Sequence, residues 1–298
     1  MSDPSETVRL RRSILSVPAI NRRALEKTHE LYCDAVIFDL EDSVAPEKKA
    51  EARDNLRRFF RETPLAGKQS IIRINALASE FGSDDLDLVG DLLPDAVALP
   101  KVDDFSIIGA VEQRISQLPE ALRIWAMMET PRGITNVVAI AETAAKAGSR
   151  LDCFVVGLND LRKETGVAPG HGRVYLVPWL MQVVLAARAY GLDVVDSVFN
   201  DFKDLETFEQ ECTQARAMGF DGKMLIHPAQ IEAANRHFGP SLEALQEAET
   251  VIAAFAHAGA EKLNVINMNG RMVERLHLQQ AEKLIEQARL IAERRTQA

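Results

Sequence analysis

Short apolar runs alternate with longer amphipathic stretches along most of the chain. The runs are rich in β-branched residues and nearly continuous in apolar character, which is typical of strands buried on both faces of a parallel sheet. Because the stretches between them are long enough for helices, the pattern indicates repeated strand–helix units. The predicted strands are Ser13–Pro18, Ala35–Leu40, Gln69–Asn75, Ala96–Lys101, Arg123–Glu129, Leu151–Gly157, Asp193–Val198 and Gly222–His227.

The helical patterns between these runs support the same organisation. Three of them end at a glycine, the residue most often found just after the last turn of a helix. Eight strand–helix units in strict alternation predict a TIM (β/α)₈ barrel, an α/β fold. A doubly wound open sheet is the alternative, but no G-x-G-x-x-G sequence follows the first predicted strand. The clearest helical patterns are Glu47–Arg61, Ile134–Ala147, Val177–Tyr190 and Asp204–Met218, of which the last three precede Gly148, Gly191 and Gly219.

The chain continues beyond the eighth predicted strand by more than a barrel requires. We predict a catalytic barrel domain at residues 10–240 and a C-terminal helical arm or lid at residues 241–298. Residues 259–274, which contain several apolar side chains and a glycine, link the last two helical patterns. The helices after the eighth strand are predicted at Ala229–Phe238, Leu242–Ala258 and Leu276–Arg295.

The composition narrows the class of protein. Of the 298 residues, 47% are hydrophobic, and the net charge is −9, which argues against a disordered chain and against non-specific nucleic-acid binding. No apolar run approaches the roughly 18 residues of a membrane span, and the N-terminus lacks the apolar segment of a secretory signal. The three cysteines lie far apart without a C-x-x-C pair, so reduced cysteines and a cytoplasmic location are expected.

Polar residues at the ends of the predicted strands carry the chemical information, because barrel enzymes place their active sites there. Five carboxylates would converge on this rim, and their mutual repulsion requires a cation or basic partners. Since no cluster of histidine or cysteine is present, the oxygen ligands favour Mg²⁺, with Mn²⁺ as the alternative. Glu129 and Asp160 are the preferred metal ligands, since they end adjacent predicted strands. The five carboxylates are Asp39, Glu41, Asp42, Glu129 and Asp160.

A structural interpretation of the same carboxylates stays open. In it, the run Asp39–Asp42 caps the following helix and Glu129 pairs with Arg132. Neither role would require a metal, so each single carboxylate is ambiguous. The gathering of all five on one rim is what favours the functional interpretation.

Arg73 lies between Ile72 and Ile74 in a predicted strand, where a guanidinium is costly unless it meets an anion. A substrate carboxylate or an oxyanion is the preferred partner, and a bridge between rim carboxylates is the alternative. His227 presents a similar choice. It either hydrogen-bonds the backbone next to Pro228 or contacts the substrate.

A set of short motifs marks the strand ends: Arg12-Ser13-Ile14-Leu15, Asp39-Leu40-Glu41-Asp42-Ser43-Val44-Ala45-Pro46, Ile72-Arg73-Ile74-Asn75, Leu99-Pro100-Lys101, Glu129-Thr130-Pro131, Gly157-Leu158-Asn159-Asp160-Leu161, Gly219-Phe220-Asp221-Gly222-Lys223 and Ile226-His227-Pro228-Ala229-Gln230-Ile231. In this order they resemble the citrate lyase β-subunit-like family of CoA-ester lyases, within the HpcH/HpaI aldolase/citrate lyase superfamily. The resemblance extends from about Arg12 to the C-terminal helix. The family includes malyl-CoA, methylmalyl-CoA and citramalyl-CoA lyases and malyl-CoA thioesterases.

The resemblance implies roles for individual residues. Glu129 and Asp160 would bind Mg²⁺, Arg73 and Glu129 would contact the substrate, and Arg73 and Glu41 would take part in catalysis. CoA contacts are implied for basic residues that follow the first two strands, and a substrate-side contact is implied at the eighth. These further residues are Arg23, Lys27, Lys48, Ile226 and His227.

The resemblance also covers the tail. In relatives, a G-x-M-[IV]-D motif places an acid over the site of a neighbouring subunit. Here the motif reads Gly270-Arg271-Met272-Val273-Glu274, so Glu274 stands where many relatives carry Asp and would be the catalytic acid. A homo-oligomer, a trimer or a hexamer, is therefore expected.

A second departure from the family pattern lies at the end of the first predicted strand. There Val17-Pro18 is followed by Ala19-Ile20 rather than by a glycine.

The first functional hypothesis is Mg²⁺-dependent cleavage of the C–C bond of a malyl-, methylmalyl- or citramalyl-CoA ester to a 2-oxo acid and an acyl-CoA. The second is hydrolysis of the malyl-CoA thioester in the same site. A citrate lyase β-like subunit without turnover of its own and a metal-dependent aldolase acting on free hydroxy acids are further alternatives. The expected ligands are a CoA thioester and a small 2-oxo acid, without nucleic acid or membrane.

Overall fold

The computed structural model describes residues 9–168, 172–257, 263–268 and 270–297. Its main sheet consists of β1 (Ser13–Pro18), β2 (Ala35–Asp39), β3 (Gln69–Arg73), β4 (Ala96–Leu99), β5 (Arg123–Met128), β6 (Leu151–Val156), β7 (Asp193–Asp196) and β8 (Gly222–Leu225). Neighbouring strands are parallel and follow chain order, and β8 pairs with β1 to close a barrel. The predicted α/β TIM-barrel fold is confirmed.

Each strand of the barrel is followed by one or two helices, as the hydrophobic pattern predicts. Side-chain caps begin several of them: Asp104 accepts a hydrogen bond from the backbone N–H of Ser106, and Asp204 from that of Thr207. Gly219 ends one helix at φ +98°, a conformation that side chains disfavour. The helices are α1 (Arg22–Lys27), α2 (Lys49–Glu62), α3 (Gly82–Leu92), α4 (Phe105–Arg114), α5 (Pro131–Thr135), α6 (Val137–Glu142), α7 (Leu158–Thr165), α8 (Val177–Ala189), α9 (Leu205–Met218) and α10 (Ile231–Phe238).

One predicted helix is two. The pattern predicts a continuous helix over Ile134–Ala147, whereas the structure breaks it between α5 and α6 at Asn136. The Asn136 side-chain amide donates to the backbone carbonyl of Asp103 at 2.8 Å. This tertiary contact holds Asn136 to the loop after β4, which the hydrophobic pattern of the segment does not reveal.

The barrel interior is filled by one buried cluster that takes side chains from every strand. Its members alternate along each strand, because successive side chains of a strand point to opposite faces. The inward residues of β2, for example, are Ala35 and Ile37, and those of β5 are Trp125 and Met127. Burial of this apolar surface contributes to the stability of the barrel.

Arg11 closes the N-terminal end of the barrel. Its side chain is 1% exposed, donates to Asp193 at 2.7 Å and to Gln69 at 3.1 Å, and also bonds Asp152. The guanidinium lies 4.8 Å from the ring centre of Trp125. A buried arginine with two carboxylate partners is a structural element, so this end leaves the chemistry to the opposite end of the barrel.

Residues 11–235 form one compact unit, and the described residues from 236 onward belong to a second. The second unit contains α11 (Leu242–Ala256), β9 (Val265–Met268), β10 (Arg271–Glu274) and α12 (Arg275–Gln297). Its small apolar core includes Val251, Phe255 and Val273. Ala258, the predicted end of the first tail helix, lies outside the described residues.

The segment at residues 259–274, which links the last two helical patterns, contains a hairpin in the part that the structure describes. β9 and β10 form an antiparallel hairpin, and Gly270 lies in its turn at φ +83°. Each strand has only four residues, which is too short for a period of two to stand out. Across the described residues, none of the helices is long and apolar enough to cross a membrane.

Closure of the barrel depends on Gly222, the first residue of β8. A Cβ atom there would lie 1.7 Å from the carbonyl oxygen of Arg11. We therefore expect Gly222→Ala to lower the free energy of unfolding by more than about 2 kcal/mol, as measured by urea denaturation. Gly109→Ala in α4 is the matched control, because a Cβ there meets nothing within 4 Å. It should leave stability unchanged or raise it by up to about 1 kcal/mol. Equal effects of the two substitutions would contradict this account.

Candidate active site

On three strands, the inward-facing side chains are followed by a charged side chain at the C-terminal rim of the barrel. Asp39 lies two residues after the inward-facing Ile37, Arg73 two after Ile71, and Glu129 two after Met127. Because side chains alternate along a strand, these residues continue the inward rows. The register pairs Asp39 of β2 with Arg73 of β3. The sheet thus brings together residues that are far apart in sequence.

Arg73 is bound by carboxylates of this rim. Its Nε and Nη2 atoms donate to the two oxygens of Asp39, at 2.6 Å each, and its Nη1 lies 3.0 Å from Oε2 of Glu41. Burial opposes ionisation of Asp39, but the charge of Arg73 and the hydrogen bonds that Asp39 accepts together outweigh it and lower the pKa of Asp39. The structure therefore shows the bridging arrangement that the sequence left as an alternative. A substrate contact by Arg73 stays a prediction.

Glu41 lies between two cations. Lys101 Nζ donates to Oε1 at 2.8 Å, and the Arg73 guanidinium faces Oε2. Burial nevertheless raises the pKa of Glu41 above its ordinary value, against the lowering effect of Arg73 and Lys101. Burial also disfavours the charge on Lys101, but the hydrogen bond to Glu41 and the negative charges of Glu41, Asp42 and Asp160 together outweigh it and raise the pKa of the ammonium. Glu41 is thus a buried proton acceptor beside a fixed positive charge.

Glu129 is the most deeply buried of the predicted metal ligands, at 1% exposure. Its Oε1 accepts a hydrogen bond from the backbone N–H of Lys101 at 2.9 Å. Burial raises the pKa of Glu129 to about 7, although Arg73 and this hydrogen bond act in the opposite direction. A Cβ atom at Gly157 would lie 2.4 Å from Oε2 of Glu129. The glutamate therefore occupies its position only because residue 157 has no side chain.

Asp160 stands in the first turn of α7 and is half-buried. Its negative charge contributes to the raised pKa of Glu129 and to that of Lys101, so the three groups share one electrostatic environment. Ser197, which is fully buried, accepts a hydrogen bond from the backbone N–H of Leu158 at 2.9 Å. This bond ties the start of α7 to the end of β7 and thereby fixes the approach of Asp160 to the rim.

The oxygen atoms of Glu129 and Asp160 suit a hard divalent cation. Among the described residues, no three His, Cys, Asp or Glu side chains are grouped as metal ligands. Two carboxylates fit Mg²⁺ well, because this ion keeps several water or substrate ligands. A buried carboxylate that holds its proton up to about pH 7 gains a strong partner when a cation binds. The residues therefore fit the predicted metal.

The predicted CoA-binding residues lie in the segments after β1 and β2. Arg23 and Lys27 are exposed on α1. Lys48 ends a short 3₁₀ turn before α2, and its ammonium pairs with Glu51 at 2.8 Å. Chain topology places Lys48, which precedes α2, at the same end of the barrel as the charged rim, whereas Lys27 is the last residue of α1, a helix that runs away from that end. Contacts with CoA phosphates stay a prediction.

Ile226 and His227 follow β8. Ile226 is 40% exposed. The Nδ1 atom of His227 accepts a hydrogen bond from the backbone N–H of Ala229 at 3.1 Å, and its ring stacks on Phe202 with 4.3 Å between ring centres. The backbone role that the sequence left open for His227 is therefore present. A contact with substrate at either residue stays a prediction.

Glu274 is the last residue of β10, in the second compact unit, and its side chain is exposed. Its backbone N–H donates to Nδ1 of His277 at 2.9 Å, which caps the start of α12. The neighbouring Arg271 pairs with Glu247 at 3.3 Å. A role for Glu274 as the acid of a neighbouring subunit's site stays a prediction.

Two residues of the site were not singled out from the sequence. Lys101 contacts Glu41 through its side chain and Glu129 through its backbone, yet the sequence shows only a lysine at a strand end. Ser197 fixes the start of α7, and nothing in its sequence context indicates this. The position of Lys101, directly after Leu99-Pro100 at the fourth strand end, is the one signal that was present.

Comparison with known proteins identifies the family. Residues 12–228 match the family model described as HpcH/HpaI aldolase/citrate lyase. The chain belongs to this family. The resemblance drawn from the strand-end motifs is thereby confirmed.

Three relatives of this family member cover almost its whole length. A (3S)-malyl-CoA thioesterase of Cereibacter sphaeroides is 41% identical over 94% of this chain and 95% of its own. The mitochondrial citramalyl-CoA lyase of Mus musculus is 31% identical over 95% of this chain and 88% of its own. The crystal structure of protein CitE from Mycobacterium tuberculosis, in complex with magnesium, acetoacetate and coenzyme A, has a TM-score of 0.71 at 30% identity and covers 93% of this chain and 97% of that one.

The raised pKa of Glu129 makes a prediction for the metal-free protein in EDTA. Since the ordinary pKa is 4.5 and the folded-state pKa is about 7, the folded protein resists ionisation of Glu129. Its stability relative to a Glu129→Gln variant should therefore decline as pH rises from about 4.5 to about 7, and level off above. The difference should reach on the order of 3 kcal/mol at most. Urea denaturation at a series of pH values measures it.

The control for this series is Glu206→Gln, which removes a carboxylate from the exposed first turn of α9. Subtracting its pH dependence corrects for the loss of one negative charge. A difference between wild type and Glu129→Gln that does not change between pH 4.5 and pH 8 would show that burial does not disfavour the carboxylate.

Proposed function

We propose that this member of the family is a Mg²⁺-dependent enzyme that cleaves the C–C bond of a malyl-CoA-type ester, releasing a 2-oxo acid and an acyl-CoA. The observation that carries the proposal is the setting of Glu129: a buried carboxylate with a raised pKa, next to Asp160, Arg73 and Lys101. Such a setting suits a substrate that binds a metal ion through its own carboxylate. Malyl-, methylmalyl- and citramalyl-CoA share this chemistry.

In the proposed reaction, Glu129 and Asp160 hold the metal. When bound, Mg²⁺ supplies Lewis acidity to the hydroxyl and carboxylate oxygens of the substrate. Asp39 keeps Arg73 ionised and aligned through two hydrogen bonds of 2.6 Å. The guanidinium thus offers a preorganised positive charge to the oxygen on which negative charge develops.

Glu41 is suited to take the proton of the substrate hydroxyl, because burial raises its pKa while Lys101 and Arg73 hold it in place. Loss of this proton lets the C–C bond break, with the electron pair passing to the acyl-CoA half as an enolate. Protonation of that enolate carbon completes the reaction. We assign this second step to Glu274 from a neighbouring copy in a homo-oligomer, a trimer or a hexamer.

The same proposal assigns the CoA phosphates to the basic residues after the first two strands. Arg23 and Lys27 are exposed on α1. The guanidinium of Arg23 and the ammonium of Lys27 are therefore accessible to an anion. Lys48 exchanges its pairing with Glu51 for a phosphate. Ile226 and His227 would contact the substrate from the end of β8.

Hydrolysis of the malyl-CoA thioester is a second candidate, because the Cereibacter sphaeroides thioesterase is 41% identical to this chain whereas the mouse citramalyl-CoA lyase is 31% identical. Both reactions use the same metal and the same substrate chelate. In hydrolysis, Glu41 would activate water for attack on the thioester carbonyl, and the C–C bond would stay intact.

The products separate these reactions. Purified protein with (3S)-malyl-CoA and Mg²⁺ is expected to release glyoxylate and acetyl-CoA, each measured by chromatography. Malate and free CoA without glyoxylate would establish the thioesterase instead. Citramalyl-CoA, which would yield pyruvate, tests the acyl range. Conversion of free malate without CoA would indicate an aldolase of free hydroxy acids.

Turnover by the chain alone also tests whether it is a citrate lyase β-like subunit. We expect Glu129→Gln to lower kcat/KM by at least about a hundredfold, since it removes a charged metal ligand. EDTA should abolish activity and Mg²⁺ should restore it. Glu206→Gln, which removes an exposed carboxylate that makes none of the described contacts of the site, should keep wild-type turnover. Activity that survives EDTA would overturn the metal assignment, and absence of turnover with every CoA ester would favour the subunit role.

A further inference from the structure

Lys101 adopts an unusual backbone conformation. Its φ is +50°, in the left-handed region that residues other than glycine seldom adopt. Leu93 is the other such residue among those described, and it ends helix α3, where this conformation is common. Lys101 follows the strand β4 and ends no helix. Strained conformations of this kind persist where the surrounding structure holds them, often at ligand sites.

The conformation lets one residue bind two carboxylates in different ways. The backbone N–H of Lys101 donates to Glu129 Oε1 at 2.9 Å, while its Nζ donates to Glu41 Oε1 at 2.8 Å. Asp42 lies 3.8 Å from the same Nζ. Lys101 therefore links Glu41 to Glu129, the proposed metal ligand.

The cations of the rim differ in how many of their hydrogen-bond donors are used. Lys49 Nζ makes three hydrogen bonds, to the carbonyl oxygens of Leu40 and Glu41 at 2.7 Å and to Asn75 at 2.9 Å. An ammonium has three donors, so Lys49 has none left. Arg73 directs Nε and Nη2 to Asp39 and Nη1 towards Glu41.

Lys101 is different. Within the described chain, its Nζ makes one hydrogen bond, to Glu41, and its side chain is 38% exposed, against 11% for Arg73. Two of its three N–H donors therefore remain for an incoming anion. Of Lys49, Arg73 and Lys101, Lys101 is the cation that a substrate can reach without first breaking a buried ion pair.

We propose that the Lys101 ammonium binds the carboxylate of the 2-oxo acid half of the substrate, a role that rests on the proposed function. The backbone of the same residue orients Glu129, so Lys101 sets the distance between the metal-binding carboxylate and the substrate carboxylate. Arg73, fixed by Asp39, then serves the developing charge and does not anchor the substrate.

The test measures binding of oxaloacetate and pyruvate in the presence of Mg²⁺ by isothermal titration calorimetry. Lys101→Met removes the charge, and Lys101→Gly also removes the side chain but keeps the backbone N–H and favours the left-handed conformation. Both should weaken binding of the acids by about 10- to 100-fold, and Lys101→Arg should restore part of it. Mg²⁺ affinity without acid should change by less than about threefold, because the partner of Glu129 is a backbone N–H.

Lys146→Met is the matched control, since Lys146 is an exposed lysine outside the rim, and it should bind the acids as wild type does. Wild-type affinity in Lys101→Met would overturn the role of Lys101 alone, leaving it as an ionic partner of Glu41. Equal losses of Mg²⁺ and acid affinity would also overturn it, because the lysine would then act on the fold of the site. Failure of the wild type to bind either acid with Mg²⁺ would overturn the proposed function itself.

Discussion

Burial of the Glu129 carboxylate at the mouth of the barrel is the constraint on which the rest of the site depends. A carboxylate with 1% exposure cannot be solvated by water, so it either keeps its proton or meets a positive charge. The residues around it combine a backbone N–H, the positive charge of Arg73 and the negative charges of Glu41 and Asp160. This balance leaves Glu129 short of positive charge, and a divalent cation would supply it.

The two ends of the barrel show opposite solutions to the problem of buried charge. At the N-terminal end, Arg11 is enclosed by acceptors and by the ring of Trp125, with 1% of its side chain exposed. At the C-terminal end, Lys101 keeps 38% of its side chain exposed and uses one donor. The first arrangement is closed to solvent and serves stability. The second has hydrogen-bond donors left for a ligand, which supports the proposed site at this end.

Much of the fold could be predicted from the chain because buried parallel strands leave continuous apolar runs. The predicted strands overshoot only at their C-terminal ends: β4 stops at Leu99 and β8 at Leu225. The additional residues include rim residues such as Asn75, Lys101 and Glu129, which follow the strands and lie outside the strand ladder. The break at Asn136 depends on a contact with a distant segment, which a local pattern cannot show. The strands of the hairpin in the tail have four residues each, too few for a period of two to stand out.

The site divides in the same way. Glu129, Asp160, Glu41 and Arg73 could be selected because charged residues at strand ends are costly without a partner. The pairing of Arg73 with Asp39 could not be predicted from the sequence, since it depends on the register between β2 and β3. The importance of Lys101 was also hidden, because a positive φ at a lysine leaves no trace in the sequence.

The close approach of Glu129 to Gly157 couples two positions that are distant in sequence. Any side chain at 157 would occupy the space of the glutamate's outer oxygen, so residue 129 can reach the rim only while residue 157 stays bare. A side chain at residue 157 is therefore incompatible with the observed position of Glu129. The position of the acid that follows β5 therefore depends on the missing side chain at the residue that follows β6, and a substitution at either position has to be judged together with the other.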